Sequence, residues 1–362
     1  MSRMPSSRPI RPARARRLLC LLAATLGLGL SLALHAGGFE VVALGVEGGL
    51  DDGNLSAYLL RRQGDRDYLA LDAGTLLPGI RQALRRGAFD GAGGDDSLAA
   101  AGRILRQSIA GYFISHAHLD HVAGLLIASP DDTGHKPVYA LPDTLDALSR
   151  DYFNWSAWPN LSDRGAPPAL GRYLLTAEPA GRGFAIAGTS MQATLYPLAH
   201  DRVVSSMLLA CSAGACLAYF GDTGPDALAH GDRLAAVWRA LAPLVRRHAL
   251  DGIVIEISYP DDVPDGRLYG HLTPRWLLRE LGRLQQMAGG AGSLRGLPVA
   301  IVHVKPSLEP GRHPRALIAA QLQAGNRLGV RFMLPRQGDL LRFPDVAAEA
   351  DAGPARMGSK PR

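Results

Sequence analysis

The chain lacks internal repeats and low-complexity linkers, which excludes a repeat array or a string of tethered modules. Its 362 residues suit one large α/β domain or two small ones, and one is the preferred count. It also lacks surplus charge beyond its first segment. The formal net charge is +6, and residues 1–36 hold six arginines (Arg3, Arg8, Arg11, Arg14, Arg16, Arg17) and no acid. The remainder is therefore neutral, without the electrostatic footprint of a nucleic-acid binder. Cysteine is scarce, with three in the chain. Cys20 sits in an apolar run near the start. Cys211 and Cys216 frame "SAGA" between two β-rich runs, which reads as a hairpin. A disulfide across that hairpin and two ordinary small apolar side chains are both open readings.

What is present begins with a targeting signal. "RPIRPARARR" is a basic stretch, Leu18 to Leu34 is uncharged and apolar, and Ser31-Leu32-Ala33 fits a small-x-small cleavage site. Residues 1–36 are read as a signal peptide, 37–345 as the folded domain and 346–362 as a disordered tail. A cleaved signal places the protein in the periplasm or outside the cell, with no stable membrane association afterwards. An uncleaved anchor is the competing reading, because the apolar run approaches the length of a membrane span.

Short apolar or alternating runs at 39–46, 56–62, 67–74, 109–115, 136–141, 191–198, 203–210, 216–222, 251–258 and 297–306 read as strands. Helical patterns start near Thr75, Gly93, Pro142, Pro225, Pro274 and Pro314. Residues 154–190 are irregular and read as an insertion over the site. Strands in blocks with helices between them suit two sheets packed face to face, with helices on both outer faces.

The chemistry concentrates in "FISHAHLDHVAGLLIASP", Phe113 to Pro130. His116 and His118 lie two residues apart, on one side of an extended segment. Asp120 and His121 follow where the strand hands over. Imidazole and carboxylate together suit zinc, manganese or iron. Further ligands end other predicted strands: His200 after "LYPLA", Asp222 after "LAYFG" and His303 after "PVAIV".

Together these residues resemble the metal signature of the metallo-β-lactamase fold. More narrowly, "HAHLDHVAGLLIASP" resembles the signature of class II cyclic-nucleotide phosphodiesterases. "LGVEGG", "LDAGT", "FNWSAWPNL", "YFGDTGPD", "GHLTP" and "HVKP" follow in that family's order. The resemblance implies an α+β four-layer αββα sandwich. It implies two divalent ions, zinc by default with manganese or iron as alternatives. His116, His118 and His200 would hold one, Asp120, His121 and His303 the other, and Asp222 both. A hydroxide between the ions would open a 3′,5′-cyclic nucleotide, cyclic AMP foremost, to a 5′-monophosphate.

The expected catalytic set is Asp120, His271 and Glu256, with His271 as proton donor and Glu256 orienting it. Expected substrate contacts are Asn154, Trp155, Trp158, Ser205, Ser206 and Lys305. Asp72 is read as holding a turn or orienting His118. The partner is a small cyclic nucleotide, not a nucleic acid, and a homodimer is allowed for. The alternatives are another hydrolase of the same fold, a nuclease or β-lactamase, or a non-catalytic metal-binding module.

Overall fold

The first strand explains the architecture. Along Phe39–Gly45, Phe39, Val41 and Ala43 enter one apolar layer while Val42 and Leu44 enter another. A strand buried on both faces needs cover on both sides. The computed structural model describes residues 38–89 and 94–344. The signal peptide read at 1–36 and the tail read at 346–362 lie outside the described residues.

In chain order, the strands are β1 (Phe39–Gly45), β2 (Ala57–Arg62), β3 (Tyr68–Ala73), β4 (Ile109–Phe113), β5 (Lys136–Ala140) and β6 (Tyr173–Ala177). Then come β7 (Gly183–Ala185), β8 (Gln192–His200), β9 (Val203–Ser212), β10 (Ala215–Phe220), β11 (Leu250–Glu256), β12 (Pro298–Val302) and β13 (Arg331–Met333). β14 (Leu340–Phe343) returns to pair with β1. One sheet has the order β14-β1-β2-β3-β4-β5-β6, the other β13-β12-β11-β10-β9-β8-β7.

Three apolar layers separate the four structural ones. Between the sheets, Val41, Leu60, Leu71 and Phe113 pack with Leu195, Leu208, Leu217 and Val254. Outside the first sheet lie α1 (Leu77–Arg85), α2 (Leu98–Ser108), α3 (Leu119–Ala128) and α4 (Pro142–Ala147). Beyond the second come the short α5 (Asp226–Ala229), then α6 (Arg233–Arg246), α7 (Pro274–Met287) and α8 (Pro314–Gly325). This is the expected αββα sandwich. Among the described residues no helix is long and apolar enough to cross a membrane.

Strand direction makes the site. β3 and β4 run parallel, as do β10, β11 and β12. β8 is antiparallel to β9, and β9 to β10, so β8 shares the direction of β10. The carboxyl ends of these strands therefore gather at one edge of the sandwich.

The structure departs from expectation in three places. The stretch read as irregular, 154–190, contains β6 and β7, which extend the two sheets at their edges. β13 and β14 were not anticipated, being too short for alternation to mark them. Pro225 opens only α5. The long α6 starts at Arg233 because Asp226 accepts the backbone N–H groups of Leu234 and Ala235, at 2.9 and 2.8 Å.

Cys211 and Cys216 face each other across the β9–β10 hairpin as a disulfide, with Cα atoms 4.1 Å apart. The bridge closes a short loop, so in a chain-entropy account its loss costs about 2 kcal/mol. Cys211→Ser is expected to lower the calorimetric Tm in non-reducing buffer. Full reduction of the native protein should erase the difference.

Candidate metal centre

The centre is built from the ends of strands. After β4 the chain stays extended and carries His116 and His118; His118 then caps α3, with φ −68° and ψ 147°. The first turn of α3 supplies Asp120 and His121. His200 is the last residue of β8, Asp222 lies two beyond β10, and His303 directly follows β12. His303 has φ +57° and Asp72 φ +50°, in the left-handed region, where Asp and His occur more often than most non-glycine residues. The "LGVEGG" glycines have a reason here. A Cβ on Gly48 would lie 2.3 Å from the His303 ring.

The structure brings all seven expected ligands together. His116, His118 and His200 form one group and Asp120, His121 and His303 another, the donor atoms of each within 4.8 Å of one another. Asp222 stands between them. Its Oδ2 is 3.8 Å from His116 Nε2 and 3.7 Å from His200 Nε2 on one side. On the other it is 3.3 Å from His121 Nε2 and 3.2 Å from His303 Nε2. His118 Nδ1 and His200 Nε2 approach to 3.2 Å, as do the Nε2 atoms of His121 and His303. Asp120 Oδ2 lies 3.3 Å from His303 Nε2.

The surroundings set the tautomers. Ser115 Oγ donates to Asp72 Oδ2 at 2.8 Å and so accepts from His116 Nδ1 at 3.0 Å. His121 Nδ1 donates to Asp72 Oδ2 at 2.8 Å, and His200 Nδ1 to the Gly270 carbonyl at 3.0 Å. Ser258 Oγ donates to Glu256 Oε2 and accepts from His303 Nδ1, both at 2.9 Å. Each of these imidazoles thus keeps its Nε2 lone pair for the centre. His116 Nε2 is buried and has no hydrogen-bond partner. An orphaned buried acceptor is costly, and a cation among these lone pairs removes the cost. The donor set fits divalent metal ions.

His271 borders the centre. Its ring centroid is 4.8 Å from that of His200 and 5.3 Å from that of His303. Its Nδ1 lies 2.9 Å from Glu256 Oε1 and 3.1 Å from Ser258 Oγ. Burial, with Asp222 nearby, pushes the Glu256 carboxyl up to about 7. Burial pulls His271 down to about 4. Burial also acts to raise Asp222, but the facing imidazoles of His303 and His121 outweigh it and hold the carboxyl well below its usual range.

Comparison with known proteins places this geometry in a family. The family described as class-II cAMP phosphodiesterases matches residues 95–338. A probable 3′,5′-cyclic-nucleotide phosphodiesterase of Yersinia pestis is 49% identical over 322 residues, covering 88% of this chain and 93% of that one. The chain belongs to the class-II cAMP phosphodiesterases. A 3′,5′-cyclic-nucleotide phosphodiesterase of Aliivibrio fischeri is 44% identical over 316 residues, covering 86% of this chain and 95% of the relative. The crystal structure of unliganded yeast PDE1 shares the fold, with a TM-score of 0.74 at 22% identity over 84% of this chain and 99% of that one. The metallo-β-lactamase-fold protein YhfI of Bacillus subtilis aligns with a TM-score of 0.55 at 13% identity, over 84% of this chain and 99% of the other.

In this class-II phosphodiesterase the expected substrate contacts fare differently from the ligands. Asn154 Nδ2 donates to the Arg150 carbonyl at 2.9 Å, and its Oδ1 accepts from Ser156 N and Ala157 N at 2.9 and 2.7 Å. That amide is spent on a turn. Trp155 Nε1 donates to the Pro168 carbonyl and Trp158 Nε1 to Ser129 Oγ, each at 3.0 Å. Trp158 is thereby tied to the end of α3, while Trp155 is anchored within its loop with 44% of its surface exposed. Ser205 and Ser206 are sealed at 0% exposure, and Ser206 Oγ donates to the Ser115 carbonyl at 2.9 Å. Asn154, Ser205 and Ser206 are therefore reassigned from substrate binding to structure. Lys305 stays beside the centre. Its Nζ reaches the Gly48 carbonyl at 3.4 Å, next to the glycine that packs on His303.

Asp72 holds His121, not His118. It also accepts Ser115 N at 2.7 Å and the Tyr219 hydroxyl at 2.6 Å. Ser115, Ser258 and Gly270 were missed from sequence. Their partners lie far away along the chain, although each sits within two residues of a recognised site residue. Asp72→Asn keeps the shape and removes an acceptor from His121 Nδ1. It is expected to weaken metal retention about 10–100-fold, read by competition with a chelator.

Proposed function

We propose that this chain hydrolyses 3′,5′-cyclic nucleotides, cyclic AMP among them, to 5′-monophosphates at a centre holding two divalent cations, zinc in the first instance. The observation that carries the reading is the position of Asp222 Oδ2, within 3.2–3.8 Å of imidazole nitrogens from both ligand groups. The names of the close relatives support the substrate class.

His116, His118 and His200 would hold one cation, Asp120, His121 and His303 the second, and Asp222 both. Bound there, divalent cations would supply a water made nucleophilic near neutral pH and would offset charge on the phosphoryl oxygens. The protein does the rest. Asp72, Ser115, Ser258 and the Gly270 carbonyl fix the ring orientations before substrate arrives. The raised Glu256 carboxyl donates its proton to Nδ1 of His271, which keeps the single proton of the neutral ring on Nε2, facing the departing 3′ oxygen; as that proton is given up, Nδ1 takes the one from Glu256. Lys305 adds positive charge beside the phosphate. The exposed His118, with Asp120 at 21% side-chain exposure, marks the open side of the centre.

The apolar run from Leu18 to Leu34 and the Cys211–Cys216 disulfide support a further part of the proposal. The enzyme is exported and works in an oxidising compartment, the periplasm or the medium.

The test is turnover of purified protein on cyclic AMP, cyclic GMP, 2′,3′-cyclic AMP and bis(p-nitrophenyl) phosphate, before and after chelation. Expected is 3′,5′-cyclic nucleotide hydrolysis that chelation abolishes and zinc restores. Undiminished turnover in metal-free protein overturns the mechanism. Activity confined to bis(p-nitrophenyl) phosphate overturns the substrate.

A further inference from the structure

Trp158 is tied by its indole N–H to Ser129 at the end of α3, and Trp155, though 44% exposed, is not among the residues lining the cleft beside His271, so a base held in that cleft needs another platform. A cleft of about 660 Å³ lies against the centre, with Arg202, Val203, His230, Tyr269, Gly270 and His271 in its walls. That volume is of nucleotide size. His271 is the one residue this cleft shares with the candidate ligand groups among the described residues. If His271 protonates the departing 3′ oxygen, the ribose bearing that oxygen lies against it. The base is then one sugar ring further into the cleft.

Tyr269, two residues before His271, lines the same cleft. It is 63% exposed, a large fraction for a tyrosine in a chain whose other rings mostly serve the cores. Its φ of +50° is an outlier for an aromatic residue. The next residue, Gly270, has φ +78° and uses its carbonyl to hold His200 Nδ1. A Cβ on Gly270 would sit 2.4 Å from Asp201 N, so this loop is pressed closely against the ligand segment. Tyr269 is thus mounted on the element that orients a metal ligand. Tyr269 also borders a second hollow of about 420 Å³ that contains Lys305. Tyr269 is thus common to the walls of the large cleft and the cation-bearing one.

We infer that Tyr269 is the stacking platform for the nucleobase, and that the cleft it shares with His271 receives the nucleoside half of the substrate. The inference rests on the proposed cyclic-nucleotide reaction. Stacking accepts any base, because every base has a π-face. Tyr269 therefore supplies affinity without choosing between adenine and guanine.

The experiment measures KM for cyclic AMP and cyclic GMP in the metal-loaded wild-type enzyme and in Tyr269→Phe, Tyr269→Ala and Trp155→Ala. Inhibition by 5′-AMP and by ribose 5-phosphate is read in each. Tyr269→Ala is expected to raise KM about tenfold for both substrates and to erase the preference for 5′-AMP over ribose 5-phosphate. Tyr269→Phe keeps the ring and stays near wild type, as does Trp155→Ala. The exposed ring is outside the cores, so its truncation leaves the fold standing, and circular dichroism checks this. A wild-type KM in Tyr269→Ala, or the loss appearing in Trp155→Ala instead, overturns this inference alone. A wild-type enzyme active on bis(p-nitrophenyl) phosphate but on no 3′,5′-cyclic nucleotide overturns the proposed function and this inference with it.

Discussion

Asp222→Asn is expected to lose metal and turnover together. The substitution keeps the side-chain volume and removes the charge on the atom that faces His116, His121, His200 and His303. Removing a partner that merely orients a ligand costs about 10–100-fold in metal affinity. Asp222 faces both ligand groups, so its loss should exceed the upper figure and strike both positions. Elemental analysis should show clearly less than two metal equivalents per chain, and cyclic AMP turnover should fall more than about 100-fold. Both readouts are needed, because a merely misfolded protein also loses activity. Thermal unfolding of the metal-free proteins separates the cases: without metal, wild type and variant should both give a cooperative transition. A variant with full metal content and wild-type kcat would remove the bridging role.

His271→Gln should show a second pattern, a loss that depends on the leaving group. The 3′ alkoxide of a cyclic nucleotide leaves poorly without a proton, whereas p-nitrophenolate leaves readily. General-acid assistance contributes about 10²–10⁴-fold. The expected result is a fall of that size in kcat for cyclic AMP and a much smaller one for bis(p-nitrophenyl) phosphate. Glu256→Gln should follow the same pattern, since Glu256 Oε1 holds His271 Nδ1 at 2.9 Å. The double variant should be little worse than either single one, because residues that act as a unit are not additive. Equal losses on both substrates, accompanied by metal loss, would instead make His271 a ligand, a role its grouping with His200 and Asp222 allows.

The candidate ligand set was legible in sequence for a physical reason. Each candidate either stands at or just beyond the end of an apolar strand or lies in one contiguous motif, and strand ends of one direction meet at one edge. His116 to His121 announce themselves by density, and His200, Asp222 and His303 by position. The sandwich was legible because its strands are apolar on both faces, as in β1 and β3. What did not show was anything fixed by contacts between distant segments. Asp226 starts one short helix and also caps the next. Ser258 carries no pattern of its own, yet joins Glu256, His271 and His303. Asn154, Trp155 and Trp158 form a motif that suits a nucleotide, but their polar atoms are taken by the loop and by Ser129 at the end of α3. Tyr269 was passed over because a lone tyrosine before "GHLTP" has no period or spacing to mark it.

The pairing of Phe39 with Phe343 separates the order of synthesis from the order of assembly. The strand made first gains one neighbour early, in β2, and the other only when nearly the whole chain exists. Until then its outer edge is unpaired, an invitation to join strands of other chains. Late-closing, long-range pairs of this kind slow folding and expose intermediates. A protein cut before Leu340 keeps every candidate ligand and the second sheet, but loses the strand that pairs with that edge. Shortened versions of this enzyme should therefore fail by sticking together rather than by losing chemistry, and the final strand belongs in any expression design.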